Sequence, residues 1–232
     1  WPKFLYDTPP HEWIDEEWEQ AKAQMAGVGA VIPEIRRLAA EGGPCYELDY
    51  SRGLDIELPH LRRMRDLGRL LKVHALVQGR DGAYNEVVED VIAAMQLGQV
   101  VGDEPILISQ LLRITLNRIA WYAAMEALPV NGFPPAMAQR LIDFSGRNDC
   151  RDAFVEGWSG EGYLGMVTFE LLREGKVGTD NFVETTGGRE SDLTRARFYG
   201  SCVGPGLSWK RTLMPKSSWK SKMPHDWPTM RL

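Results

Sequence analysis

Residues 59–128 decide the fold: PHLRRMRDLGRLLKVHALVQGRDG (59–82), AYNEVVEDVIAAMQLGQVVG (83–102) and DEPILISQLLRITLNRIAWYAAMEAL (103–128). Each block reads as one helix. The first opens at Pro59, whose missing N–H costs nothing in a first helical turn, and runs to about Gln78. Leu61, Met64, Leu67, Leu71 and His74 fall at helical spacing along it. Gly79-Arg-Asp-Gly82 makes a turn. The second helix runs from about Ala83 to Val101. Tyr84, Val87, Val88, Val91, Met95 and Gly98 form one face, with Glu86, Glu89 and Asp90 near the other. Gly102 ends it, and Asp103-Glu104-Pro105 starts the third. Leu107, Leu111, Ile114, Leu116, Ile119 and Tyr122 leave this third helix apolar nearly all round. It is therefore expected to be the most buried element, with Leu111→Ala or Ile114→Ala costing about 2–5 kcal/mol. Leu128-Pro129 closes it.

Working outward, the same rules place more helices. Asp15, Glu16 and Glu17 suit a helix N-terminus after Ile14, where carboxylates meet the positive end of the dipole. A short helix covers about Ile32 to Ala40, ended by Gly42-Gly43. Tyr46, Leu48 and Tyr50 alternate with polar residues, a weak strand signal. Two further helices are expected near 134–145 and 149–174. The second contains Gly157, Gly160, Gly162 and Gly165, so a break or very close packing is expected there. The fold class is all-α: a compact multi-helix bundle of antiparallel helical hairpins with a long Gly-rich loop. Three regions follow: a helical core domain over 1–174, a Gly-rich irregular segment over 175–207, and a basic, Trp- and Pro-containing tail over 208–232.

Composition limits the function. The 232 residues are 44% hydrophobic and 25% charged, with a net charge of −5, which gives no whole-chain reason to expect nucleic-acid binding. No apolar run reaches the roughly 18–20 residues of a membrane helix. The chain begins at Trp1 rather than Met, so an upstream signal peptide, anchor or tag is expected. The three cysteines, Cys45, Cys150 and Cys202, lie far apart, with no metal-ligand spacing; either two pair or all three are buried thiols.

Charge is uneven. Residues 1–50 hold ten acidic and four basic side chains, whereas residues 201–232 hold one acidic residue and six basic ones. Trp209, Lys210, Arg211, Lys216, Trp219, Lys220 and Lys222 are the candidate partner-binding residues, because Trp and Arg are enriched at binding hot spots. The acidic head of the same chain is the plainer destination for this tail. Another subunit or an anionic polymer is the functional one.

Two resemblances are carried by particular residues. Ala75, Gly82 and Tyr84 match positions of a tetratricopeptide hairpin, although Val87 stands where that pattern has Ala. Only one such unit is present, so a compact domain is expected rather than a repeat array. Leu58-Pro-His-Leu61, the Leu67–Leu71 run, Gly82 with the helix after it, Pro105-Ile-Leu-Ile-Ser-Gln-Leu111 and Gly160-Glu161 carry the other. Over about residues 46–172 the chain resembles a family of uncharacterised, exported, all-helical proteins of planctomycete-type bacteria. That family often follows Gly-Glu with Arg, where this chain has Gly162. The resemblance implies an exported or periplasmic helical domain and no chemistry.

Candidate chemistry is sparse. His60 and His74 share a face of one helix but sit roughly 21 Å apart at about 1.5 Å per residue, too far to share a metal. His60 reads as a histidine at a helix start making backbone hydrogen bonds. Glu57-Leu-Pro-His60 has the Glu-x-x-His spacing of di-iron bundles without the second motif or the other Glu-bearing helices. Gly157-Trp-Ser-Gly-Glu161 departs from the nucleophile elbow at its fifth residue and lacks a preceding strand. Glu156 with Glu161, or Glu86 with Asp90, could pair for glycoside chemistry, though solvated helix faces explain both. Arg113 and Asn117, one turn apart on the apolar helix, read as a structural ion pair or a core anion site. No catalytic residue, cofactor or metal ligand is assigned. The expected role is a non-enzymatic interaction or scaffold domain of the bacterial cell envelope, through a protein partner or self-association. The alternative is a hydrolase acting on a glycan or peptide through acidic residues.

Overall fold

A computed structural model describes residues 2, 4–43, 46–127, 134–146, 148 and 150–177. The Gly-rich segment beyond Val177, the basic tail, Cys45 and Cys202 lie outside the described residues. The protein is an all-α helical bundle: α1 (Phe4–Asp7), α2 (Asp15–Val28), α3 (Ile32–Ala40), α4 (Pro59–Arg80), α5 (Tyr84–Gly102), α6 (Leu107–Glu126), α7 (Pro135–Gly146) and α8 (Arg151–Arg173). Short 3₁₀ turns occupy Pro10–Glu12 and Tyr50–Asp55. No strand occurs among the described residues. The Tyr46–Tyr50 alternation instead leads into the second of those turns, where Gly53 has φ 61°.

Local chemistry accounts for the boundaries. Glu17 accepts the Ile14 N–H at 3.1 Å, which satisfies one of the donors that open α2. Gly43, at φ 63°, donates to Leu38 O and ends α3. Gly82 lies at φ 76° in the turn from α4 to α5, a conformation that a Cβ would strain.

The chain divides into two compact units, Trp1–Gly165 and Met166–Leu232, with α8 running across the division. In the first, α4, α5 and α6 pack on one another, α3 and α7 pack on α5, and α2 packs on α4. Val87, Val88, Val91, Met95 and Val101 of α5 are fully buried, as are Leu71, Val73 and Leu76 of α4. Arg80 pairs with Asp15 (2.8 Å) and lies over the Trp18 ring, and Lys22 pairs with Asp81 (2.9 Å), fastening α2 to the end of α4. Of the second unit, the described part is the end of α8 and the turn after it. Gly175 at φ 68° stops the helix there, and Lys176 N–H bonds back to Leu171 O.

The most buried helix is α5, not α6 as the sequence suggests. Leu111 and Ile114 of α6 are 45% and 42% exposed. α6 turns Ser109, Gln110, Leu112, Leu116, Ala120, Ala123 and Ala124 inward. The reason is proximity. A Cβ on Gly79 of α4 would lie 2.8 Å from Ala127 Cβ, and one on Gly68 would lie 2.4 Å from Leu116 Cδ2. The backbones approach so closely that small residues must face the contact, and the bulky ones are turned out.

α8 is unbroken despite its four glycines. Two of them make the close packing. A Cβ on Gly157 would come within 2.7 Å of Gln110 Cγ, and one on Gly160 within 1.7 Å of Pro105 O, whereas Gly162 and Gly165 face open space.

Candidate functional site

Three groups of residues compete for function. The first is the buried pair of α4 and α5. Asp90 is 1% exposed, not on a solvated face. Its Oδ1 accepts from Arg36 Nε (2.9 Å) and Nη2 (2.6 Å), and its Oδ2 accepts from His74 Nδ1 (2.6 Å). Burial raises the Asp90 carboxyl above its ordinary range, and the bonds from His74 and Arg36 pull it back only in part. Burial alone would lower the Arg36 guanidinium, but Asp90 and Glu86 outweigh that and raise it. The far nitrogen of His74 meets the Gln78 amide at 3.3 Å. With both ring nitrogens engaged, His74 has no free lone pair for a substrate, and the cluster acts as a clamp joining α3, α4 and α5.

The second group lies where α4 meets the start of α6. His60 is buried, stacked on Tyr46 (ring centroids 4.2 Å apart), and its Nε2 lies 2.6 Å from Glu104 Oε1. This replaces the backbone bonds expected for a helix-start histidine. Ser109 Oγ donates to the other oxygen, Glu104 Oε2, at 2.5 Å. The carboxylate therefore sits between hydroxyl and imidazole. A nucleophile–base arrangement needs the serine on the histidine, so these three residues do not form one. Beside them, Glu161 Oε1 accepts the Leu107 N–H (3.1 Å), and Gln110 Nε2 bonds Gly102 O and Glu104 O. The first of these bonds satisfies one of the donors that open α6, and the other two take up carbonyls of the turn before it.

The carboxylates considered for glycoside chemistry are thus mostly engaged: Glu86 and Asp90 by Arg36, and Glu161 by the α6 backbone. Ser159, the hydroxyl of the elbow-like pentapeptide, donates to Val155 O within its own helix. Arg113 Nη2 donates to Asn148 Oδ1 (2.9 Å), and Asn117 bonds Asn148 and Cys150. Cys150 is a free, half-buried thiol. Among the described residues no three His, Cys, Asp or Glu side chains could hold a metal ion together. No described helix is long and apolar enough to cross a membrane. A cleft of about 380 Å³ lies between α3, α5 and α7, and its arginines, Arg36 and Arg140, are paired with Glu86, Asp90 and Glu89.

The third group is the outward face of α6. Ile108, Leu111, Ile114, Trp121, Tyr122 and Met125 are all exposed on it. The first part of α8 runs antiparallel to α6: Cys150, just before α8, meets Asn117, Gly157 meets Gln110, and Gly160 meets Pro105. Near its start α8 exposes Val155 and Trp158 as well, Trp158 to 67%. At about half exposure, the six α6 side chains leave on the order of 500 Å² of apolar surface, near the upper end for a monomer's largest patch. Sequence reasoning took these residues for core. The signal that would have separated them is volume, since Ala120, Ala123, Ala124 and Ala127 recur at helical spacing opposite the bulky residues. The proposed tail contacts, Trp209 to Lys222, fall outside the described residues. No protein-family model, curated protein or solved structure matches this chain.

Proposed function

We propose that this chain is a non-enzymatic helical interaction domain whose docking face is the outward side of α6. One observation carries the reading: α6 buries its alanines and presents Ile108, Leu111, Ile114, Trp121, Tyr122 and Met125 to solvent. Exposed large apolar groups cost solubility, and the largest apolar patch of a chain is often a functional contact surface. The buried His74–Asp90–Arg36 cluster supports the same reading, because its polar groups are spent on joining helices. The resemblance to exported bacterial proteins supports a cell-envelope setting for the domain. The basic stretch from Trp209 to Lys222 is the second contact of the proposal, suited to an anionic partner or surface.

The test is site-specific photo-crosslinking in the native cell. A photoreactive residue at position 111 or 122 should give one discrete adduct. The same probe at Glu19 or Glu41, both exposed on polar surface, should give none. Equal labelling at all four positions, or none at 111 and 122, would refute the docking face.

A further inference from the structure

The chemistry of the α6 face also points to what covers it; this inference rests on the docking reading above. Ile108, Leu111, Thr115, Arg118, Tyr122 and Met125 succeed one another at alternating intervals of three and four residues. That is the seam spacing of packed helices, and at about 1.5 Å per residue it spans roughly 25 Å, about five turns of a partner helix. One charge sits near the middle of the stripe. The Arg118 guanidinium lies 5.8 Å from the centroid of the Tyr122 ring and reaches no carboxylate among the described residues. Five arginines elsewhere do reach one, Arg36, Arg37, Arg52, Arg80 and Arg140, each at 3.0 Å or less, while the exposed Arg62, Arg63 and Arg65 of α4, like Arg118, reach none among the described residues. From Pro105 to Met125 the sequence holds no Asp or Glu at all. Glu126, at the far end of the helix, is engaged by Lys72 at 2.8 Å.

A partner that covers this stripe takes water away from Arg118. A guanidinium removed from water needs a carboxylate in reach, or the loss outweighs the apolar gain. A second copy docked stripe to stripe brings none, because Pro105 to Met125 holds no Asp or Glu. Paired in parallel, the two stripes set Arg118 against Arg118. Paired antiparallel, they set Arg118 against Thr115, with the other Arg118 one turn away. We propose that the α6 face receives an amphipathic helix of a different protein, carrying a carboxylate midway along its apolar stripe.

Two labelled 18-residue helical peptides serve as probes, identical in their leucine stripe and differing only in a central Glu or Lys. Binding to the full chain is read by fluorescence anisotropy, with thermal melts to verify that each variant is folded. The Glu peptide should bind at least about tenfold more tightly than the Lys peptide. Arg118→Gln should bring the two together, and Arg118→Glu should reverse their order. If Leu111→Glu abolishes binding but both peptides bind equally to every Arg118 variant, the face docks helices and the acidic partner is wrong. If neither peptide binds, the proposal falls together with the docking reading. If sedimentation shows a dimer that Leu111→Glu dissociates, a second copy is the occupant and the proposal falls alone.

Discussion

α5 and α6 are neighbours of similar length and similar apolar content, and the bundle treats them oppositely. α5 is enclosed by α3, α4, α6 and α7, so Val87, Val88, Val91, Val101, Met95 and even Asp90 are buried. α6 rests on α4 and α5 through alanines, and its largest side chains meet solvent. Hydrophobicity sets how much a residue gains from burial. Which residues obtain it depends on how many neighbours an element has and how close their backbones come.

The sharpest contrast is electrostatic. Asp90→Ala leaves Arg36 and His74 without the carboxylate they share, and should cost about 3–5 kcal/mol in chemical denaturation. Met95→Ala in α5 should cost about 2–5 kcal/mol, whereas Leu111→Ala in α6 should cost under about 1 kcal/mol. Equal losses at positions 95 and 111 would mean that α6 is covered in the folded protein. Gly160→Ala drives a methyl into Pro105 O and should cost about 1–3 kcal/mol, while Gly162→Ala two residues later should gain about 0.5–1 kcal/mol in melting experiments. A gain at both glycines would show that α8 does not seat on the start of α6.

The smallest effect is a pH dependence. Burial holds Asp90 above the ordinary carboxylate value of 3.8, so the folded chain binds this proton more tightly than the unfolded chain. The stability contributed by that protonation is complete below 3.8 and is lost as pH rises through the raised value. Denaturant midpoints of the wild type should carry this fall, and Asp90→Asn should flatten it. An unchanged slope would mean that Asp90 titrates as an exposed carboxylate.

Helix boundaries were legible because local chemistry writes them: Asp15 to Glu17 at the start of α2, Pro59 at the start of α4, and Gly82 between α4 and α5. The fold class followed from three consecutive helical periods between Pro59 and Leu128. The direction in which α6 faces was not legible, since both its sides are apolar and only the size of the residues differs. Asp90 read as a solvated acid because Glu86 and Glu89 stand beside it. Its partner Arg36 is 54 residues away on another helix, and no local spacing signals that pairing. Gly160-Glu161 was visible as a motif without a purpose. In the fold, the glycine admits Pro105 and the glutamate caps Leu107.

The serial packing of α4, α5 and α6 has a consequence for the order of folding. These helices are consecutive in the chain, joined by short connections, and each touches the other two. Loop closure between them is brief, so the three-helix unit can assemble in microseconds to milliseconds, before more distant segments arrive. α5 is then expected in the nucleus, and truncating its core side chains should slow folding. α3 and α8 should join afterwards. Loosening their contacts should leave the folding rate nearly unchanged and appear as faster unfolding in stopped-flow kinetics.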